Sequence, residues 1–337
     1  MTGRAADCKP NPVCSDHNHG LPAAGGVCHT PPAVVAQPLS IWVLGDGKPG
    51  HENQSLGLAE ALGRLRPCAI HRISLAGTSG WFGRLRAASR AAASLPPPAL
   101  ILGAGHATHP SLGWLARKYR ARSVVLMRPS LPLGCFDLCL APAHDFPHGQ
   151  PSAKVVTTLG ALNRVRAATT PRHGGLLLIG GPSTTHGWDE TALLAELTEI
   201  VSVPGSGPWQ LTNSRRTPSG LLPRLRQALP ALEMFSHEET TREWLPARLA
   251  AAAEVWATED SVSMVYEALT SGGRVGLLSV PRTKPDARVL RGLADLIDQG
   301  FVTPFARWLE TRTLPAPPHP LREADRCAEI VLARFFP

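Results

Sequence analysis

The sequence predicts an α/β protein built from two Rossmann-like, doubly wound domains that face a cleft. From residue 39 onward, short apolar runs alternate with helical stretches, which is typical of βαβ units and of parallel sheets covered on both faces. A stretch rich in Pro, Arg and Thr, Val165–Gly174, interrupts this alternation, which begins again at Gly175. A length of 337 residues suits two domains.

The first domain is predicted over residues 39–165. Its apolar runs are too short for helices and are bounded by turn residues, so they are predicted strands. The predicted strands are Ser40–Gly45, Ala69–Leu75, Ala99–Gly103, Ser123–Met127 and Lys154–Leu159. Helices are predicted over Glu52–Arg66 and Ser111–Tyr119.

The second domain is predicted over residues 175–320, with the same alternation. The predicted strands are Leu176–Ile179, Trp209–Asn213, Glu233–Phe235, Glu254–Thr258 and Arg274–Val280. The predicted helices are Asp189–Val201, Ser219–Gln227, Ser261–Thr270 and Ala287–Asp298. Residues 321–337 form a further predicted helix, which we expect to pack back across the domain junction.

Residues 1–38 differ from the rest, because they are rich in Pro, Gly, Ala, Asn and His and lack apolar periodicity. We interpret them as a disordered extension. Cysteines and histidines within it match no closed zinc-module spacing, so no metal site is predicted. The seven cysteines are odd in number and form no CxxC pair, which argues against a disulfide framework.

The net charge of +8 comes mainly from arginine, with 29 Arg against only 5 Lys. Arginine suits phosphate and carboxylate groups, although a biased residue composition would produce the same excess. No apolar run is long enough for a membrane-spanning helix, and the N-terminal residues do not predict a secretory signal, because no basic start is followed by an apolar stretch; the predicted location is the cytoplasm. No basic stripe with interleaved aromatic residues occurs, so nucleic acid is not predicted as a partner.

The first motif that suits ligand binding or catalysis is GDGKPGHENQ at residues 45–54, where a predicted strand leads through a glycine-containing turn into a helix. Glycines allow a tight turn and close approach of a ligand, and a helix N-terminus favours an anion. His51, near Asp46, is a candidate general base. A structural turn with a solvated histidine is the alternative. The motif is neither a Walker loop nor a complete dinucleotide fingerprint.

Two further motifs follow strands of the second domain. The loop with Gly180, Gly181 and Ser183 repeats the position of the first motif and suits a diphosphate. Arg215 and Arg216 follow the next strand, where a bidentate phosphate contact is one interpretation and surface charge is the other.

The fourth motif is TEDSVSMVYEALTSG, residues 258–272. Asp260 or Ser261 can cap the helix that follows. Glu267 falls on the face of Ser263, and Gly272 ends the helix. Carboxylate and hydroxyl groups at this edge suit a ribose diol, while a plain capped helix is the alternative.

These motifs resemble the mitochondrial-fission Elm ("elongated mitochondria") family, which has many bacterial members. The resemblance rests on GDGKPGHENQSLGLAEAL, TTLGALNRV, IGGPS, TNSRRTP and TEDSVSMVYEALTSG, in that order between about residues 40 and 335. The family in turn resembles GT-B glycosyltransferases, including the GlcNAc transferase of lipid II synthesis. There, the histidine of the first loop is a proposed base and a glutamate five residues before a glycine binds ribose; His51 and Glu267 match these positions.

The resemblance implies an inverting glycosyltransferase that needs no cofactor or metal and uses a nucleotide sugar as its donor. His51 and Asp46 would be catalytic. The donor would be bound by Gly180, Gly181, Ser183, Arg215, Arg216, Asp260, Ser261, Ser263 and Glu267. The acceptor, an envelope saccharide or a lipid-linked one, would meet Gly47, Lys48, Gly50, Asn53 and Gln54. Trp81, Phe82, Arg84 and Arg86 form a candidate patch for peripheral contact with an anionic membrane at its inner face; a partly buried loop is the alternative.

Two other functions stay open. The first is a non-catalytic GT-B-like scaffold that binds a protein partner, as the plant members of the family suggest. The second is a nucleotide-sugar epimerase of GT-B architecture. An NAD-dependent epimerase is disfavoured, because the sequence has neither its glycine fingerprint nor a Tyr followed four residues later by Lys.

Overall fold

The computed structural model describes residues 37–337 except 147–148, 151, 206, 242 and 285–287. The predicted disordered extension lies outside these residues but for its last two, as do the N-terminal cysteines and histidines. Four cysteines are described, and each is a free thiol: Cys68, Cys135, Cys139 and Cys327.

The first sheet has six strands that are parallel throughout. They are β1 (Leu39–Gly45), β2 (Cys68–Ser74), β3 (Leu100–Ala104), β4 (Arg122–Leu126), β5 (Leu138–Pro142) and β6 (Val155–Thr158). Their spatial order is β2-β1-β3-β4-β5-β6. The central strands are buried on both faces, which explains their continuous apolar sequences.

The helices of this half are α1 (Pro49–Leu65), α2 (Gly80–Ala92) and α3 (His109–Tyr119). One face of the sheet packs against α1, and the other packs against α2 and α3. The crossovers therefore cover both faces, which confirms the doubly wound arrangement predicted for this half.

The second sheet is also six-stranded and parallel. It contains β7 (Gly175–Ile179), β8 (Trp209–Asn213), β9 (Glu233–Phe235), β10 (Glu254–Thr258), β11 (Arg274–Leu278) and β12 (Val302–Pro304). The spatial order is β12-β11-β10-β7-β8-β9. Its helices are α4 (Glu190–Val201), α5 (Leu221–Ala228), α6 (Trp244–Ala251), α7 (Val262–Ser271), α8 (Arg288–Asp298) and α9 (Phe305–Thr311).

The last helix, α10 (Glu323–Phe335), crosses back and packs on α1 of the first half. Its residues Ala324, Cys327, Ala328 and Val331 are buried in the same cluster as the apolar side of α1. No helix among the described residues is both long and apolar enough to cross a membrane.

The predicted helix starts need one correction. Helix α1 begins at Pro49 and α3 at His109, whereas the sequence predicted starts at Glu52 and Ser111. Both helices carry a proline in their first two positions, where the missing N–H costs nothing. His51 therefore lies in the first turn of α1 and not in the turn before it.

Candidate active site

The loop after β1 and the first turn of α1 together hold a carboxylate–imidazole pair. The Asp46 carboxylate accepts from the backbone N–H of Lys48 at 3.1 Å through Oδ1, and its Oδ2 lies 2.9 Å from Nδ1 of His51. The side chain of Asp46 is only 4% exposed, and that of His51 is 20% exposed. An ionised carboxylate can only accept, so Nδ1 is the donor of this hydrogen bond, and in the neutral imidazole Nε2 then has a lone pair. No described group pairs with that Nε2.

Gly105 closes the back of this pair. Its φ is +84°, and a Cβ there would lie 2.2 Å from Nδ1 of His51 and 3.0 Å from Oδ2 of Asp46. Glycine therefore permits both the left-handed backbone and the close approach of the imidazole. Gly105 was not predicted as a site residue, although it follows β3 as the glycines of the other motifs follow their strands.

A second histidine lies behind His51. His109 is buried, and its Nδ1 is 3.1 Å from the hydroxyl of Ser130. The pKa of His109 is lowered to about 4, chiefly by burial and in addition by electrostatic interaction with the neighbouring imidazoles of His106 and His51. His109 is therefore neutral near pH 7 and adds no charge beside the His51 imidazole.

A cavity of about 600 Å³ opens between the two halves beside this loop, a size that suits a small-molecule ligand. The first half contributes loop and α1 residues that flank His51, and the second half contributes three polar side chains. The lining residues are Gly47, Pro49, Gly50, Glu52, Asn53, Gln54, Ala161, Leu162, Asn163, Arg215, Ser263 and Glu267.

Glu267 joins the two walls of this cavity. Nδ2 of Asn53, on α1, donates to Oε1 of Glu267, on α7, at 2.8 Å. Burial raises the pKa of Glu267 to about 7, and the hydrogen bond from Asn53 acts in the opposite direction. Ser263 lies one turn before Glu267 and lines the same cavity, which confirms that the two share a face of the helix. Gly272 ends α7 in the left-handed conformation, as predicted.

The loop after β7 is different, because its polar groups bond to the protein. The N–H of Gly180 donates to Oγ1 of Thr258 at 2.8 Å, and the N–H of Gly181 donates to Oδ2 of Asp260 at 3.0 Å. The hydroxyl of Ser183 accepts from two N–H groups further along the loop. The groups predicted to bind a diphosphate are thus engaged internally.

Arg216 fixes this loop to the start of α7. Its Nη2 donates to Oδ2 of Asp260 at 2.6 Å and to Oγ of Ser261 at 2.8 Å. Its Nη1 donates to the carbonyl oxygen of Gly181 at 2.7 Å. The Asp260 side chain is fully buried, so Arg216 neutralises a carboxylate that is out of contact with water.

The predicted capping of α7 is wrong in detail. Ser261 occupies the N-cap position, but neither its side chain nor that of Asp260 bonds to the first turn, because Arg216 engages both. In the described part of the chain, the N–H groups of Val262 and Ser263 meet no acceptor, and the exposed guanidinium of Arg215 has no partner. The helix start therefore keeps free donors.

The predicted site residues therefore fall into three groups. Gly47, Gly50, Asn53 and Gln54 meet Arg215, Ser263 and Glu267 around the cavity. His51 and Asp46 lie beside it, since Gly50 and Glu52 line it. Outside the lining are Lys48, Gly180, Gly181, Ser183, Arg216, Asp260 and Ser261. Among the described residues, no three His, Cys, Asp or Glu side chains are grouped to hold a metal ion.

The loop at residues 161–163 forms part of the cavity wall, and its residues were not predicted as site residues. Nδ2 of Asn163 donates to Oγ1 of Thr270 on α7 at 3.0 Å. A Cβ at Gly57, on α1, would lie 2.3 Å from the Asn163 carbonyl oxygen, so α1 approaches this backbone closely. The string TTLGALNRV contains this loop, but its residues carry no charge that would have marked them as part of a site.

Two parallel, doubly wound sheets with a cleft between them define the GT-B-like fold, shared by glycosyltransferases and nucleotide-sugar epimerases. A putative UDP-N-acetylglucosamine 2-epimerase from Listeria monocytogenes has a TM-score of 0.59 at 11% identity, covering 88% of this chain and 97% of the epimerase. The glycotransferase of kitacinnamycin has a TM-score of 0.51 at 15% identity, covering 89% of this chain and all 100% of its own.

Within that class, the chain belongs to the mitochondrial fission ELM1 family, whose profile matches residues 49–335. A relative from Rickettsia prowazekii (strain Madrid E), the uncharacterized protein RP120, is 22% identical over 347 residues. The alignment covers 87% of this chain and 98% of the relative. The resemblance inferred from the five sequence motifs is thereby confirmed.

Proposed function

We propose that the protein is an inverting glycosyltransferase, which binds a nucleotide sugar in the cleft and transfers the sugar to an acceptor hydroxyl. One observation carries the proposal: the cavity has a His51–Asp46 pair beside its first wall and Arg215, Ser263 and Glu267 on the facing wall. A candidate general base and side chains that suit an anionic, hydroxyl-rich ligand thus lie around one cavity. The fold's epimerase and glycotransferase relatives support a nucleotide sugar as ligand.

The diphosphate would be bound by Arg215 and by the first turn of α7. Arg215 is exposed and lines the cavity, and its fork suits phosphate oxygens. The unpaired N–H groups of Val262 and Ser263 add the positive end of the helix dipole. In this proposal Gly180, Gly181, Ser183, Arg216, Asp260 and Ser261 position the helix start and do not themselves bind phosphate.

The ribose would be bound by Glu267. A carboxylate accepts hydrogen bonds from both hydroxyls of a diol. The pKa of Glu267, raised to about 7 by burial, would fall when such donors favour the ionised form. Asn53, which now donates to Glu267, would link occupation of this subsite to the acceptor side of the cleft.

His51 would act as the general base. Nε2 would take the proton of the acceptor hydroxyl as its oxygen attacks the anomeric carbon. The bond from that carbon to the diphosphate oxygen breaks on the opposite face, so the configuration inverts. The nucleoside diphosphate leaves with its charge stabilised by Arg215 and the start of α7. Asp46 holds Nδ1–H and stabilises the imidazolium that forms.

The acceptor would be an envelope saccharide or a lipid-linked saccharide, met by Gly47, Gly50, Asn53 and Gln54. Such an acceptor places the enzyme in the cytoplasm, at the inner face of the membrane.

The test begins with a thermal-shift screen of the full chain against UDP, GDP, CMP, dTDP and their common sugar conjugates. A ligand at 100 times its Kd adds about 2.7 kcal/mol to the free energy of unfolding. His51→Ala is expected to lower turnover of the ligand so identified about 10²- to 10⁴-fold and to keep its thermal shift. His173→Ala, which removes an exposed imidazole in the linker, is the matched control.

Equal turnover in the His51 and His173 variants would overturn the base assignment. No shift with any nucleotide, from a folded protein, would favour the scaffold hypothesis instead.

The epimerase is a second candidate, favoured by the TM-score of 0.59 with the Listeria protein. Incubation with UDP-N-acetylglucosamine and no acceptor distinguishes the two. An epimerase forms the 2-epimer from the donor alone, whereas a transferase leaves the configuration at C2 of the donor unchanged.

A further inference from the structure

The N-terminal end of α2 exposes two aromatic rings that contact each other. Trp81 is 55% exposed and Phe82 is 68% exposed, and their ring centroids lie 3.7 Å apart. They are the two most exposed large apolar side chains in the described part of the chain. Two adjacent rings turned to water form an apolar patch, unlike the single exposed residues that are common on protein surfaces.

Arginines surround these rings. Phe82, Arg86 and Arg90 are spaced four residues apart and thus share one exposed face of α2, while Arg84 lies on the adjoining face. None of the three arginines has an ion-pair partner among the described residues. From residue 61 to residue 136 the sequence has ten arginines and one lysine and no acidic residue.

We propose that the surface formed by Trp81, Phe82, Arg84, Arg86 and Arg90 docks on a lipid bilayer that contains anionic headgroups. Aromatic rings partition to the interface between headgroups and acyl chains, and unpaired arginines bind lipid phosphates. Charge complementarity favours an anionic bilayer, because arginines without an ion-pair partner among the described residues surround the two exposed rings.

The position of α2 ties this surface to the cleft. Helix α2 follows the carboxyl end of β2, the same edge of the sheet from which the His51 loop leaves. The N–H of Leu75 donates to the carbonyl oxygen of Gly45 at 2.7 Å, and a Cβ at Gly47 would lie 2.9 Å from Cβ of Ala76. Docking would thus turn the acceptor side of the cavity toward the bilayer. Only this link to a lipid-linked acceptor rests on the proposed function.

Vesicle co-sedimentation of the full chain tests the docking. Vesicles of phosphatidylcholine are compared with vesicles that also contain about 30% phosphatidylglycerol, at low and high salt. We expect binding only with the anionic lipid, weaker at high salt. The Trp81→Ala/Phe82→Ala variant should bind at least tenfold more weakly, and each of Arg86→Gln and Arg90→Gln about fivefold more weakly.

A matched control replaces an exposed leucine and an exposed arginine on α9, Leu309→Ala/Arg307→Gln, and should bind like the unaltered chain. Equal losses in the control and the α2 variants would overturn the proposal. So would the absence of binding to anionic vesicles, or capture of poly-glutamate by the arginines without vesicle binding. The nucleotide thermal shift, measured on the same samples, reports separately on the proposed function.

Discussion

Two loops leave equivalent strand ends in the two halves of the molecule, and they use their glycines in opposite ways. The segment after β1 has Gly47 in the loop and Gly50 in the first turn of α1, both at the cavity, and nothing lies within 4 Å of a Cβ built on Gly50. In the loop after β7, a Cβ on Gly181 would lie 2.2 Å from the carbonyl oxygen of Arg216. The first loop is open toward a ligand, and the second is packed against its own protein.

This difference teaches that a glycine loop at a strand end is not by itself a binding site. The N–H groups of Gly180 and Gly181 are occupied by Thr258 and Asp260. The second loop therefore shapes the site by holding the start of α7, and the side chains that reach the cavity are its neighbours Arg215 and Ser263.

Alanine at one glycine of each loop gives the largest expected contrast. Gly181→Ala should lower the free energy of unfolding by about 3 kcal/mol or more, because the new methyl group meets backbone that cannot move aside. Gly50→Ala should leave it unchanged or raise it by up to about 1 kcal/mol, since alanine favours the helix. Urea denaturation of both variants measures the contrast; equal losses would erase the distinction between the loops.

The adjacent arginines give a smaller contrast. Arg216→Ala should lower the free energy of unfolding by about 2 kcal/mol, because the buried Asp260 carboxylate loses its partner. Arg215→Ala should change it by less than about 0.5 kcal/mol and weaken nucleotide binding instead. Denaturation and thermal shift with the identified nucleotide, run on both variants, separate the two roles. Loss of stability in the Arg215 variant would contradict this assignment.

The hydrogen bond between Asn53 and Glu267 gives an effect on stability that depends on pH. The folded-state pKa of Glu267, about 7, lies above its ordinary value of 4.5. The folded protein therefore holds an extra proton between these values, and the stability from this group falls as pH rises from about 4.5 to 7. Glu267→Gln keeps an acceptor for Asn53 and removes this loss.

The Gln variant should lie within about 1 kcal/mol of the unaltered chain at pH 5 and exceed it by about 3 kcal/mol at pH 8, since one pKa unit corresponds to about 1.4 kcal/mol. Denaturation at the two pH values measures this, with Glu310→Gln on the exposed side of α9 as the control. A variant with the same pH dependence as the unaltered chain would show that Glu267 is not buried as the structure has it.

The sequence was sufficient to predict most of the sheets, because continuous apolar runs such as Leu177–Ile179 fit only doubly buried strands. It was insufficient for β5 and β12: Leu138–Pro142 ends in proline, and Val302–Pro304 has three residues, so neither carries a periodic signal. Helix α2 was not predicted, because Gly80 and Gly83 weaken the helical pattern and its buried face is only small alanines, Ala88 and Ala92.

For the site, the sequence identified residue types but not their partners. Arg215 and Arg216 are identical in type and adjacent, and only the fold directs one to the cavity and the other to Asp260. The closeness of Asn53 and Glu267 joins residues 214 positions apart, which no local pattern reveals. Gly105 was not predicted, because its role is to leave space: the side chains of His51 and Asp46 lie where a Cβ would be.

The return of α10 to the first half has a consequence for how the protein is made. Ala324, Cys327, Ala328 and Val331 complete the core that Leu58 and Leu62 of α1 begin. While the ribosome makes the second half, the part of α1 that α10 covers stays exposed, because its partner helix has not been synthesised. The first half therefore completes this core only after α10 has emerged.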